Sequence, residues 1–278
     1  MNLEFITLNN GLKMPMLGLG TYPLNRLKLL KSIWIAQNNG YISIDTSRSY
    51  GNEKWIGRSL KLINLFNNQK LFITTKLGNS DQRKGNVRKA LKESMDRLGV
   101  NYVDLYLMHW PNPDTYIASW KQMEVLYKEG LVGAIGVCNF HKHHLEKLLK
   151  EAEIVPAINQ IELHPLLTQE PLRDYCKSKG IQIESYSPVA RMDPKLIENP
   201  LLVNLSKKYN KTVPQIILRW NIENKIVTIP KSGTKNRIIE NIDIFDFKLT
   251  SDEVEQINNL NEDYRVRYNP DTVDYYKV

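Results

Sequence analysis

Val103-Asp104-Leu105-Tyr106-Leu107-Met108-His109 is apolar almost throughout and ends on a histidine. A short run that is apolar on both of its alternating faces suits a strand buried on both sides, as in a parallel sheet. Seven further runs of this kind lie at residues 16–20, 42–45, 71–76, 134–138, 157–163, 182–186 and 226–229. Helical spacing fills the gaps between them. Ile56, Leu60 and Ile63 recur at three- and four-residue intervals, as do Trp120, Met123 and Tyr127. Leu145, Leu148 and Leu149 mark a third helix face, and Leu201, Leu202, Leu205 and Tyr209 a fourth. Gly40, Gly99, Gly130 and Gly180 fall near the helix ends, where a left-handed C-cap needs glycine.

Eight strands alternating with helices predict an α/β fold closed as a (β/α)8 TIM barrel. The alternative is a doubly wound open sheet, which would carry G-x-G-x-x-G after its first strand if it bound a dinucleotide. Gly18-Leu19-Gly20-Thr21 begins such a motif, but no third glycine follows in register. No linker or low-complexity stretch divides the chain, so residues 1–278 read as one domain. Two segments exceed a minimal barrel. Residues 5–12, with Asn10-Gly11 at their turn, predict an N-terminal β-hairpin that closes the barrel bottom. Residues 251–260 predict an extra C-terminal helix with Val254, Ile257 and Leu260 on one face, followed by a polar tail at 261–278.

The formal net charge of +8 fits nucleic acid, a membrane surface or an anionic small molecule. No dense Lys/Arg block is present, which argues against nucleic acid. No apolar run approaches the roughly 20 residues that cross a bilayer, so no membrane span is expected; no membrane partner is expected either. Cys138 and Cys176 form no Cys-x-x-Cys and no metal-ligand spacing, so a reduced, cytoplasmic protein without a metal centre is expected. Met1-Asn2-Leu3-Glu4-Phe5 lacks the basic and apolar regions of a signal peptide.

In a barrel of this kind the catalytic groups sit at the C-terminal strand ends. The second run ends in Asp45, with Tyr50 shortly after it; the third ends in Lys76 and the fourth in His109. Each alone has an ordinary structural explanation: a helix cap, a packing tyrosine, a surface lysine, a core histidine. On consecutive strands they form a coherent chemical set. A free phenol, with a pKa of about 10, is too weak an acid to help at neutral pH, and a neighbouring ammonium lowers that value. A carboxylate would hold the ammonium, and a histidine at the edge would donate a hydrogen bond to a carbonyl oxygen. The set reads as general acid catalysis of carbonyl reduction, with the hydride drawn from a cofactor.

Several long motifs then converge on one family. They are Leu8-Asn9-Asn10-Gly11, Met14-Pro15, Leu17-Gly18-Leu19-Gly20-Thr21, Asp45-Thr46-Ser47-Arg48-Ser49-Tyr50-Gly51-Asn52-Glu53, Met95-Asp96-Arg97-Leu98-Gly99 with Val103-Asp104-Leu105-Tyr106, and Ile229-Pro230-Lys231-Ser232. In this order, over essentially the whole chain, they resemble the aldo-keto reductase superfamily, and within it the bacterial diketogluconate-reductase-like branch. The resemblance implies a tetrad of Asp45, Tyr50, Lys76 and His109. In it Tyr50 is the proton donor, Lys76 and Asp45 are its pKa partners and His109 binds the substrate carbonyl.

The resemblance also implies NADPH, gripped in an extended pose. Gly20, Thr21 and Asp45 would approach its nicotinamide half, and Asn139 and Gln160 would hold the carboxamide. Tyr186 would stack on the ring, and Ser187 would lie near the pyrophosphate. Lys231-Ser232-Gly233-Thr234, Arg237 and Asn241 join the last strand to a helix. Lysine, hydroxyls and helix N-terminal amides suit a phosphate. In the family this segment reads the adenosine 2′-phosphate, which favours NADPH over NADH. One departure stands out: Cys138 occupies a position where the family usually has serine, and a thiol is the weaker donor.

By comparison with vertebrate members, the loops at 111–116 and 190–200 are short, which suggests an open pocket walled by Tyr22, Tyr50, His109 and Trp110. The expected substrate is a small aldehyde, dicarbonyl or keto-sugar, and the expected assembly a monomer or weak oligomer. Two other classes stay open: a cofactor-binding barrel that serves as a regulatory subunit, and an unrelated aldolase-like barrel that forms a Schiff base on Lys76.

Overall fold

In the computed structural model, which describes residues 3–65 and 70–278, the eight apolar runs form one parallel sheet. Its strands are β3 (Leu19–Gly20), β4 (Ser43–Asp45), β5 (Phe72–Leu77), β6 (Val103–Met108), β7 (Val132–Cys138), β8 (Ile158–Glu162), β9 (Gln182–Tyr186) and β10 (Val227–Thr228). They are hydrogen-bonded in chain order. The sheet then closes on itself. Leu17 bridges Thr228 in parallel, Gly18 N donates to Thr228 O at 3.0 Å, and Gly20 N donates to Pro230 O at 3.1 Å. Closure needs glycine here, because a Cβ on Gly20 would lie 2.6 Å from the carbonyl oxygen of Ile229. The first and last runs are longer in sequence than their strands, since much of their pairing is this closing bridge.

The N-terminal hairpin, β1 (Phe5–Thr7) with β2 (Lys13–Pro15), runs further than the predicted residues 5–12. Its connection is five residues long, with Leu8 N donating to Leu12 O at 2.9 Å, so the return strand begins only at Lys13. Leu8 and Met14 pack with Phe72, Leu105, Leu107, Ala134 and Ile158, while Asn10 Nδ2 donates to Gly133 O at the start of β7. The hairpin therefore plugs the N-terminal end of the barrel.

Strand alternation sorts the side chains. Ile44, Ile73, Tyr106, Met108, Ile135, Val137, Ile161 and Ile183 point outward into the large core beneath the helices. The opposite parity lines the lumen. At its lower level it is apolar: Phe72, Leu105, Leu107, Ala134 and Ile158. One level up, toward the C-terminal ends, the same parity places Asp45, Lys76, Cys138, Gln160 and Glu184, all buried. A polar layer thus caps an apolar plug.

The predicted helix faces are buried as well, with Ile56, Leu60, Ile63, Trp120, Met123, Leu145, Leu148, Leu202 and Leu205 in the core. Gly40, Gly99, Gly130 and Gly180 all take left-handed φ values at their turns. The extra helix is Ser251–Asn258, started by a capping box between Thr250 and Glu253. Trp220 Nε1 donates to Asn258 Oδ1 at 2.8 Å and ties it to the barrel. Among the described residues no helix is long and apolar enough to cross a membrane.

Candidate active site

The residues expected to form the tetrad meet at the C-terminal ends of β4, β5 and β6. Lys76 Nζ donates to both oxygens of Asp45, at 2.6 and 2.7 Å, and to Thr46 O at 3.0 Å. It lies 3.5 Å from the Tyr50 hydroxyl oxygen, which it reaches as a donor. Lys76 is fully buried and Asp45 only 3% exposed. Tyr50 is held on the short turn Arg48–Tyr50, capped where Ser49 N donates to Ser47 Oγ. Its ring lies 5.0 Å from that of Tyr22 and 5.6 Å from that of His109. His109 Nδ1 contacts Ser47 Oγ at 3.2 Å.

The electrostatics correct one expectation. The neighbouring ammonium does pull the Tyr50 phenol down, but loss of water around the phenol is the larger effect, and Asp45 adds to it. The net result is a phenol above its ordinary value, where the sequence argument had it lowered. Burial also works against the charge on Lys76, yet Asp45 and Tyr50 together outweigh it and hold the ammonium above its usual range. Burial, then the charges of Lys76 and Arg267, bring His109 down to about 3, so its imidazole is neutral at physiological pH.

The amides expected to hold a carboxamide differ in availability. Asn139 Nδ2 donates to His109 O at 3.0 Å and contacts Cys138 Sγ at 3.2 Å, while its Oδ1 accepts from the Tyr186 hydroxyl at 2.7 Å. Its side chain is largely engaged in holding the Tyr186 ring. Gln160 Nε2 donates to Asp45 Oδ2 at 2.9 Å and to Glu184 Oε2 at 2.7 Å. Among the described residues Gln160 Oε1 has only the long 3.6 Å contact from the Cys138 thiol. Thr21 spends its hydroxyl on Asp45 O at 2.9 Å and is buried. Ser187 has a left-handed φ of 50° and accepts Ala190 N–H on its carbonyl.

At the end of β10, Ser232 Oγ accepts from Thr234 N at 3.1 Å and shapes the turn into helix Lys235–Ile242. Arg237 is exposed on the first turn of that helix, and Asn241 is buried a turn later. Lys231 is held below its ordinary value by burial and by the charges of Lys28, Arg191 and Arg237. Among the described residues none of these four cations has an ion-pair partner. Lys28 and Arg191 were not foreseen. Arg191 sits in a left-handed turn, Ala190–Met192, that contains no glycine and so carries no sequence signal.

The tail beyond the extra helix returns over the barrel mouth. Glu162, buried at the end of β8, accepts from the backbone N–H groups of Val266 and Arg267 at 2.7 and 3.2 Å. The Arg267 guanidinium lies 5.8 Å from the Tyr22 ring centroid, and Tyr275 meets Trp110 edge-on at 6.5 Å. Trp110 is buried, and Tyr22 is exposed at the rim. Further along, Asp271 Oδ2 contacts His141 Nδ1 at 2.8 Å, and its other oxygen faces His143 and His144. His144 Nδ1 accepts His141 N–H at 3.1 Å, so the neutral ring keeps its proton on Nε2, the atom facing this cluster. Through these contacts Asp271 joins the tail to helix Lys142–Glu151.

With this geometry established, comparison with known proteins defines the class. The model of the aldo/keto reductase family matches residues 16–262, and the chain belongs to that family. It is an NADP-dependent oxidoreductase acting on carbonyl groups. Among its relatives, glyoxal reductase of Bacillus subtilis (strain 168) is 48% identical over 269 residues, covering 96% of each chain. Methylglyoxal reductase DkgA of Escherichia coli (strain K12) is 44% identical, covering 97% of this chain and 98% of the relative. The solved structure of an aldo-keto reductase from a Medee basin deep-sea metagenome library superposes with a TM-score of 0.93 at 41% identity, over 97% of this chain and all of that one. A Bombyx mori aldo-keto reductase in complex with NADP gives 0.89 at 37% identity, over 98% and 97%.

Proposed function

We propose that this protein reduces small aldehydes and dicarbonyls to alcohols with NADPH, using Tyr50 as the general acid. The observation that carries the reading is the chain of contacts from Asp45 through Lys76 Nζ to the Tyr50 hydroxyl, with a neutral His109 beside it. Lys76 donates to the Tyr50 oxygen, which leaves the phenolic proton free to be given to a substrate oxygen in the pocket. As charge develops on that oxygen, proton transfer relieves it, and the nearby ammonium steadies the phenolate left behind. Ser47 Oγ accepts from Ser49 N and has its own proton to give to His109 Nδ1, an arrangement that puts the single N–H proton of the neutral imidazole on Nε2. From there His109 donates to the same substrate oxygen. Tyr22, Trp110 and the returning tail shield the site from water.

The residues present fit NADPH. One end of the site offers the Gln160 acceptor and the Tyr186 ring for a nicotinamide carboxamide. The other gathers Lys28, Arg191, Lys231 and Arg237, without ion-pair partners among the described residues, for phosphate. When bound, NADPH supplies the hydride. Gly20, Thr21, Asp45, Asn139 and Ser187 complete the nicotinamide end, and Ser232, Thr234 and Asn241 the phosphate end. Two relatives named glyoxal and methylglyoxal reductase support a dicarbonyl as substrate. We read residues 1–278 as one domain and the protein as a cytoplasmic monomer or weak oligomer without nucleic-acid partners. Loss of reduced-nicotinamide absorbance against glyoxal, methylglyoxal, simple aldehydes and keto-sugars, run with NADPH and NADH, tests the reading. No turnover of any carbonyl by protein that binds NADPH would instead support a regulatory barrel.

A further inference from the structure

Glu184 is a buried carboxylate to which the mechanism above gives no role. It stands on β9 at 0% exposure, directly opposite Gln160 of β8, which in turn stands opposite Cys138 of β7. Cys138, Gln160 and Glu184 thus form a row across three strands at the level of the tetrad. The Gln160 amide carries two protons on Nε2. One goes to Glu184 Oε2 at 2.7 Å, and the other crosses the lumen to Asp45 Oδ2 at 2.9 Å. A flipped amide would set its oxygen against the Asp45 carboxylate and give up both donated hydrogen bonds, which favours the orientation seen. Among the described residues Glu184 Oε1 has no hydrogen-bond partner. Burial and the charge of Asp45 push the Glu184 carboxyl up to about 8, which leaves a proton on that oxygen at neutral pH.

We propose that Glu184 is a positioning residue for nicotinamide recognition: with Asp45 it holds both amide protons of Gln160, so that Gln160 presents Oε1 toward the Cys138–Asn139 side as a fixed acceptor. This rests on the reading that Gln160 takes the nicotinamide carboxamide. Asn139 strengthens the case, because its own side chain is engaged with His109, Cys138 and Tyr186. Gln160 is then the less committed amide, and its aim decides whether the carboxamide N–H finds an oxygen or a competing N–H. Losing Glu184 frees one amide proton and lets the amide rotate.

The test compares two probes that share the phosphate end and differ at the nicotinamide end. NADP⁺ carries the carboxamide; adenosine 2′,5′-bisphosphate does not. Binding of each is measured by calorimetry on folded protein. Glu184→Leu should weaken NADP⁺ about tenfold, the value of one well-placed hydrogen bond, and leave the bisphosphate within about twofold by the same scale. Glu184→Gln keeps an acceptor oxygen in place and should restore NADP⁺ binding. Glu184→Met, a second apolar variant of similar volume, replaces the leucine variant if that one fails to fold. Equal losses for both probes would mark a general structural role and overturn the proposal, as would unchanged NADP⁺ binding. Gln160→Leu separates the two readings. If it leaves NADP⁺ binding unchanged, the carboxamide reading itself fails; if it weakens NADP⁺ and Glu184→Leu does not, only the role of Glu184 fails.

Discussion

Lys76 Nζ lies 3.5 Å from the Tyr50 hydroxyl, yet the phenol holds its proton more tightly than free tyrosine does. Desolvation outweighs the ammonium, so Tyr50 stays protonated at neutral pH and acts as a donor whose conjugate base is stabilised only once the proton leaves. Tyr50→Phe keeps the ring and its contacts with Tyr22 and His109. It should cut carbonyl reduction by the roughly 10²–10⁴-fold typical of a lost general acid while NADPH still quenches protein fluorescence as before. Near-normal turnover would remove Tyr50 from the mechanism.

Lys76→Met tests the ammonium. The variant leaves Asp45, 3% exposed, without its cation, and breaking a buried pair costs about 3–5 kcal/mol. A loss of stability in urea is therefore expected alongside a large loss of rate. The rate must be measured well inside the folded baseline to keep the two apart. If the folded variant turns over at the wild-type rate, the lysine is structural and the electrostatic argument is wrong.

Glu184 sets a pH dependence of stability. Its folded value of about 8 stands above the 4.5 of a free glutamate, because burial and Asp45 disfavour the charge. Between those values the folded chain keeps a proton that the unfolded chain has released, so this group's contribution is complete below about 4.5 and lost as pH rises to about 8. Glu184→Gln removes the titration. The variant should gain on the wild type steadily from about pH 5 to about pH 8 in urea unfolding, with no further gain above that. A difference that stays constant with pH would show that Glu184 titrates alike in both states.

The sequence carried much of this site. Asp45, Lys76 and His109 each end an apolar run with a polar side chain, and strand alternation alone aims such residues into the lumen. Glu184 left a fainter signal of the same kind: it is a charge inside the run Gln182-Ile183-Glu184-Ser185-Tyr186, and Gln160 and Glu162 break the neighbouring run at matching parity. Residue identity alone marks that segment as a strand and does not say which group across the lumen Glu184 meets. Other features had no local trace. Lys28 and Arg191 reach Lys231 only through tertiary structure, and Asp271 meets His141 across 130 residues. The direction of the Tyr50 shift needed the weight of desolvation against charge, which residue identities do not supply.

Arg237 tests the phosphate end. NADPH differs from NADH by a phosphate on the adenosine ribose, and a guanidinium meets phosphate with paired, charge-assisted hydrogen bonds. Such bonds are worth about 1.5–3 kcal/mol each. Lys28, Arg191 and Lys231 share the same field: after burial, the charges of Lys28, Arg191 and Arg237 add to what holds the Lys231 ammonium below its ordinary value. Removing one cation relieves the other three, so Arg237→Ala should weaken NADPH by roughly one to two orders of magnitude without abolishing binding. NADH, with no phosphate there, should bind almost as before. Arg237 is exposed, so the NADPH preference of the wild type should shrink as salt is raised. Fluorescence titration with both cofactors at low and high salt decides it. An equal loss for NADPH and NADH would mean that Arg237 supports the start of helix Lys235–Ile242 and does not read the phosphate.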